Sequence, residues 1–280
     1  MHLSESPTSP VEARIAAVDG RIDELAGAVQ DALNQVMGVV RPLAVATQAQ
    51  PFMEDAPFSV FHEPGVGPVY GYMGIRDGRE AVDSYRGFED IFRGSEDRIR
   101  SMLRPYLGLF DASGPVADIG CGRGEFLDLL RERGIPSLAA DMDESMVVHC
   151  ARKGHTVSHA DANAFLESQA DDSLGGVFSA QVIEHLPYAE LMRFFRLSLK
   201  KLKPGGVFAA ETMNIHYPSN WKAFWLDLTH QHPILSEVAL AHCLLTGFES
   251  AYVFYAAGTG DPNADRIAQG AYSVVARKGA

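Results

Sequence analysis

Apolar residues recur at spacings of three and four from Val11 to about Val40. Ile15, Val18, Ile22, Leu25, Val29, Ala32, Val36 and Val39 form one seam with charges on the opposite face, which predicts an amphipathic helix. Gly20, Gly27 and Gly38 weaken it and Pro42 ends it. Such a seam serves either to pack on its own chain or to pair with a second subunit in a homodimer. From Gln50 to Tyr72 the period is broken by Pro51, Pro57, Pro64, Gly65, Gly67 and Pro68, which predicts an irregular, aromatic-rich arm. From about Glu80 onward, short apolar runs alternate with helical periods. Strands are predicted around Val116–Ile119, Ser137–Asp141, Thr156–Ala162, Gly176–Ala180, Val207–Glu211, Ala251–Tyr255 and Ala271–Ala276. The helix before the fifth strand closes on Lys200, Lys201 and Lys203, and Pro204-Gly205-Gly206 is predicted to turn the chain. Alternation of this kind predicts an α/β, Rossmann-like fold: a mostly parallel, seven-stranded sheet with helices on both faces, preceded by the N-terminal helix. The expected division is 1–50 for that helix, 51–84 for the arm and 85–280 for the α/β domain.

Chemistry enters at the first of these strands. In Val116-Ala117-Asp118-Ile119-Gly120-Cys121-Gly122-Arg123-Gly124-Glu125-Phe126 a strand carries an acid, turns through three glycines at alternate positions and opens a helix. Glycines let a ligand lie against the turn and accept positive φ without strain. A dinucleotide fingerprint would read GxGxxG. Here the pattern is DxGxGxG, and Glu125 stands where a third dinucleotide glycine would be. A pyrophosphate would meet Asp118 and Glu125; a cationic ligand with an amino-acid tail suits them better, which points to S-adenosylmethionine (SAM). Gly120 and Gly122 would line its backbone cradle. Asp141, ending the second strand, is placed to accept both hydroxyls of a ribose, as acids do in other doubly wound folds. Met142 follows it, beside the adenine face. Asp161 and Ala162 leave the third strand. Taken singly, Asp141 and Asp161 would read as helix caps; three acids ending three successive strands make a ligand the better reading.

Composition narrows the partners. The chain has 280 residues and a formal net charge of −12. Such a charge repels nucleic-acid phosphate and anionic lipid, so no nucleic acid is expected. No apolar run is long enough to span a membrane, and the first ten residues lack the basic and apolar regions of a signal peptide. Cys121, Cys150 and Cys243 form no disulfide or zinc pattern, which suits a reducing, cytoplasmic setting.

Four further strings join the DxGxGxG turn: Phe88-Glu89-Asp90-Ile91-Phe92-Arg93-Gly94-Ser95, Gln181-Val182-Ile183-Glu184-His185-Leu186, Glu211-Thr212-Met213-Asn214, and Phe224-Trp225-Leu226-Asp227-Leu228-Thr229-His230-Gln231-His232-Pro233. The set resembles class I SAM-dependent methyltransferases of bacterial polysaccharide and cell-surface glycan biosynthesis, over roughly residues 85–248. The resemblance implies that Arg93 and Gly94 hold the SAM carboxylate, that Asp161 accepts from the adenine amino group, and that Gln181 lies near the methionine part. It implies O-methyl transfer to a sugar hydroxyl of an oligosaccharide, the 1-hydroxyl of a methylated mannoside among the candidates. A phenolic or quinol metabolite and a glycolipid sugar are the rival acceptors, and a non-catalytic SAM-binding scaffold is the remote alternative.

A sugar hydroxyl is a poor acid, so the transfer needs a base. His185, just past the fourth strand, is placed for it, with His230 as the second choice. The cluster Asp227, His230 and His232 with Glu211 and Glu184 also invites a metal. Magnesium held by Glu211, Asp227 and His230 would lower the acceptor's pKa, although the histidines suit a transition metal better.

Overall fold

The structure, a computed structural model, describes residues 59–63, 65–71, 93–111 and 113–280, together with 21, 25, 27–29 and 31–32. Within the unit spanning Met1–Gln48 those few residues are helical and exposed. The rest of the predicted N-terminal seam, and the question of a dimer, lie outside the described residues.

In the unit spanning Ala49–Ala280, the arm predicted as irregular contains an antiparallel hairpin, β1 (Ser59–Glu63) with β2 (Gly67–Gly71). Gly65 and Gly67 stand at φ +84° and +91°, so the residues that interrupt the apolar period make the turn.

The α/β domain opens with α1 (Glu96–Leu103), capped by Ser95, and a 3₁₀ turn at Arg104–Leu109. Then follow β3 (Val116–Ile119), α2 (Glu125–Glu132), β4 (Ser137–Asp141), α3 (Glu144–Arg152), β5 (Ser158–His159), α4 (Ala162–Ser168) and β6 (Leu174–Ala180). After a 3₁₀ turn at Ile183–His185 come α5 (Tyr188–Lys201), β7 (Leu202–Met213), α6 (Asn220–Phe224), α7 (Ser236–Thr246), β8 (Ser250–Phe254), α8 (Pro262–Ala268) and β9 (Ala271–Arg277). The strands form a seven-stranded sheet in the order β5-β4-β3-β6-β7-β9-β8. β3, β4, β5, β6 and β7 run parallel, and β9 pairs antiparallel with both β7 and β8.

Two predicted boundaries move. The third strand shrinks to Ser158–His159, because Asp161 turns away to cap α4, accepting from the Ala164 amide at 2.9 Å. The predicted Pro204-Gly205-Gly206 turn falls inside β7. Leu174 pairs with Leu202 and Gly176 with Val207, so Lys203 to Gly206 bulge out, with Gly205 at φ +78°.

One apolar layer packs Phe194, Phe195, Phe208 and Phe248 with α5 and α7 on one face of the sheet. The other layer packs Tyr106, Phe110, Phe126 and Phe178 with α1 and α2. Both layers bury strand positions of alternating direction, as a sheet covered on two faces requires. The carboxyl ends of β3, β4, β6 and β7 thus converge on one edge, where ligands bind in such sheets.

Candidate active site

The glycine turn is built tightly. Gly120, Gly122 and Gly124 all have positive φ, at +67°, +54° and +79°. A Cβ on Gly120 would come within 2.4 Å of Val182 Cγ2, so this position also needs the space. Arg123 and Glu125, both buried, form an ion pair at 2.8 Å. The Arg123 guanidinium also donates to the Gly94 carbonyl at 2.9 Å, tying the segment before α1 to the glycine turn.

Asp118 is buried, and its Oδ2 has no hydrogen-bond partner among the described residues. Burial, then the nearby Glu125 and Asp141 carboxylates, push its pKa up to about 8. An orphaned carboxylate under a glycine turn fits a ligand that brings positive charge, as the ammonium and sulfonium of SAM do. Asp141 accepts from the Gly122 amide at 2.8 Å and from the Asp143 amide at 2.9 Å. These bonds fix the carboxylate beside the turn, and a carboxylate retains acceptor capacity for a ribose. Met142 is 69% exposed beside it, and Ala162 is buried at the start of α4.

A cavity of about 440 Å³ opens next to this edge. It brings Arg93, Gln181, His185, Glu211, Asp227 and His230 together, whereas Gly120, Gly122, Asp141, Met142, Asp161 and Ala162 line the neighbouring strand ends rather than the cavity. The remaining wall is mainly apolar, with Ile99, Met102 and Leu103 from α1, Met213 from β7 and Leu226 beyond α6. Gln181 sits at φ +57°, a conformation that costs a non-glycine residue energy and that marks a site held by its surroundings.

Beneath the cavity lies a network that sequence spacing does not reveal. Tyr106 donates to Glu211 Oε2 at 2.6 Å, Gln181 Nε2 donates to Oε1 at 3.2 Å, and Ser273 donates to the Tyr106 oxygen at 2.7 Å. Burial raises the Glu211 pKa. Its carboxylate is therefore committed to Tyr106 and Gln181. The described side chains whose ligand atoms all fall within 4.8 Å of one another are Glu184, His185 and His230. Glu211 and Asp227, expected beside His230 as magnesium ligands, are not in that group.

The two histidines meet with ring centroids 4.6 Å apart. Thr229 donates its hydroxyl to Asp227 at 2.6 Å, so its oxygen accepts from His185 Nδ1 at 2.9 Å. His230 Nδ1 donates to the Phe224 carbonyl at 2.6 Å. These partners assign both tautomers and put both lone pairs on Nε2. Burial and then His230 pull the His185 pKa down to about 4. Burial pushes Glu184 up to about 8; its own amide and Thr212 act the other way.

The sheet order, the glycine turn and the strand-end acids are those of the Rossmann-like methyltransferase fold. Comparison with known proteins agrees. Residues 117–210 match the family described as a methyltransferase domain. A solved SAM-dependent methyltransferase from Archaeoglobus fulgidus superposes with a TM-score of 0.63 at 29% identity, covering 70% of this chain and all of that one. The ubiquinone biosynthesis O-methyltransferase of Caulobacter vibrioides is 30% identical over 123 residues, covering 42% of this chain and 46% of that protein. The enzyme of the same name from Paramagnetospirillum magneticum is 29% identical over 120 residues, covering 42% and 45%. The chain thus spans less than half the length of these curated relatives.

Proposed function

We propose that this protein transfers the methyl group of SAM to a hydroxyl of a small, partly apolar acceptor, of the phenolic or quinol kind. The observation that carries this reading is the cavity wall. Ile99, Met102, Leu103, Met213 and Leu226 suit a ring or short apolar chain, and Gln181, His185, Asp227 and His230 line the same cavity. The naming of relatives as ubiquinone biosynthesis O-methyltransferases supports an acceptor of that class over the polysaccharide suggested by the later sequence strings. SAM lies across the glycine turn, with its carboxylate on Arg93, its ribose on Asp141 and its adenine by Met142 and Asp161. The sulfonium makes the methyl electrophilic without help, so the protein's task is to align the acceptor oxygen and deal with its proton. That task falls to the corner formed by His185 and His230, whose Nε2 lone pairs either take the proton outright or hold an ion that acidifies the hydroxyl.

A sugar acceptor is the second reading. Trp221 and Trp225, exposed on α6 and just beyond it, flank the cavity residues Ala223 and Leu226 and offer stacking surfaces.

The experiment is methyl transfer from labelled SAM to parallel sets of catechols, phenols and neutral oligosaccharides. Label on phenolic hydroxyls, lost in His185→Ala with SAM affinity retained, is the expected result. Label on oligosaccharides alone would overturn the phenolic assignment, and SAM binding without transfer to either set would favour the scaffold.

A further inference from the structure

We propose that Glu184, His185 and His230 bind a divalent transition-metal ion at the floor of the cavity. Their ligand atoms lie within 4.8 Å of one another. Ligands bonded to one ion at about 2.1 Å stand about 3–4 Å apart, so small side-chain rotations close the site. Glu184 is completely buried, and neither of its carboxylate oxygens has a hydrogen-bond partner of normal geometry among the described residues. A buried acid left in that condition calls for a cation or a proton.

The surroundings of the two imidazoles are those of metal ligands. Each ring is held through Nδ1, His230 by the Phe224 carbonyl and His185 by the Thr229–Asp227 pair, so each presents Nε2. Outer partners of this kind fix ring orientation and raise ligand basicity. The backbone joins the two halves of the site as well: the Gln231 amide donates to the Glu184 carbonyl at 2.8 Å. One carboxylate and two imidazoles select zinc, manganese, cobalt or nickel over magnesium, which prefers an all-oxygen shell. Arg93 lies close enough to influence both Glu184 and His185 and opposes a cation there; Asp227, which lines the same cavity, offsets it. The consequence for catalysis rests on the function proposed above: the ion would acidify an acceptor hydroxyl at its open position. Binding of the ion does not depend on that reading.

The probe is Co²⁺ added to the full-length, tag-free chain after removal of metals, read by its visible absorption and by calorimetry. One equivalent per chain is expected, with excess Mg²⁺ failing to displace it. Glu184→Gln and His230→Ala should each weaken Co²⁺ binding by at least ~100-fold, and Thr229→Val by ~10-fold through the His185 anchor. His232→Ala, outside the cluster, should leave it unchanged. Equal affinity in wild type, Glu184→Gln and His230→Ala would overturn the site, as would no binding by the wild type at all. The latter result stands even if a variant fails to fold. Stoichiometric Co²⁺ binding with no methyl transfer to any acceptor would uphold the site and sink the functional reading instead.

Discussion

If the proposed contact of SAM's cationic end with Asp118 holds, SAM affinity should rise steeply with pH, because Asp118 then has to ionise. In the ligand-free protein Asp118 is buried and titrates at about 8. At pH 6 it is ionised in about one molecule in a hundred, and at pH 7.5 in about one in four. If only the ionised form accepts the cationic end of SAM, the apparent Kd falls ~25-fold across that interval, or ~1.9 kcal/mol. The ligand's own α-ammonium, with an ordinary pKa near 8, stays mostly charged throughout. Calorimetry at constant ionic strength measures the Kd, and buffers of different ionisation enthalpy count the proton released on binding. Asp118→Asn should bind SAM more weakly than wild type at pH 7.5 and show a flatter profile. The same group makes a stability prediction of defined sign. Its folded pKa lies above the unfolded value of 3.8, so the folded state holds a proton that the unfolded chain gives up. Without SAM, stability is therefore greatest at low pH in this window and declines from about pH 4 towards about pH 8, by at most ~1.4 kcal/mol per pH unit for this one group. A wild-type Kd constant within twofold from pH 6 to 7.5, with Asp118→Asn following the same line, would refute the reasoning.

Three other outcomes follow from the geometry. Gly120→Ala puts a methyl 2.4 Å from Val182 Cγ2 at φ +67°, so thermal unfolding should show a loss of ~2 kcal/mol or more, partly restored by adding Val182→Ala. Tyr106→Phe removes the donor to buried Glu211 and the acceptor for Ser273, and denaturant unfolding should register ~1–3 kcal/mol of destabilisation. Asp141→Ala releases the Gly122 and Asp143 amides and removes the proposed ribose acceptor; SAM affinity by equilibrium dialysis should fall ~10–100-fold while the far-ultraviolet dichroism stays native.

What the sequence disclosed and what it withheld divide along the length scale of the interactions. The glycine turn was legible because its constraints are local. Positive φ at Gly120, Gly122 and Gly124 and the acid two residues before Gly120 all lie within one short run. The strand pattern was legible for the same reason, since burial on both faces writes itself as a continuous apolar run. Where a residue had two local uses, the pattern was ambiguous. Asp161 reads as an adenine partner over a helix cap, and the structure shows one of its oxygens capping α4. Pro204-Gly205-Gly206 reads as a turn, yet β7 carries it as a bulge because Leu174 and Leu202 still pair on its far side.

The acids show the limit more sharply. Glu184 and Glu211 look interchangeable in sequence, each at the end of a strand and each next to a polar cluster. Their surroundings separate them. Glu211 meets Tyr106, 105 positions away, and through it Ser273, so its oxygens are occupied. Among the described residues Glu184 has no hydrogen-bond partner of normal geometry, only the weaker influence of Thr212 and its own amide, and its ligand atom lies within 4.8 Å of those of two imidazoles. His185 depends in turn on Thr229, 44 positions away, for its tautomer. None of these pairings leaves a period or spacing in the chain, because each joins segments far apart in sequence: the Arg104–Leu109 turn and β9 meet at the end of β7, and the segment after α6 meets the turn after β6. The residue types that do chemistry were therefore visible before the fold, while the assignment of each carboxylate to structure or to a ligand required knowing which donors the fold had already spent on it.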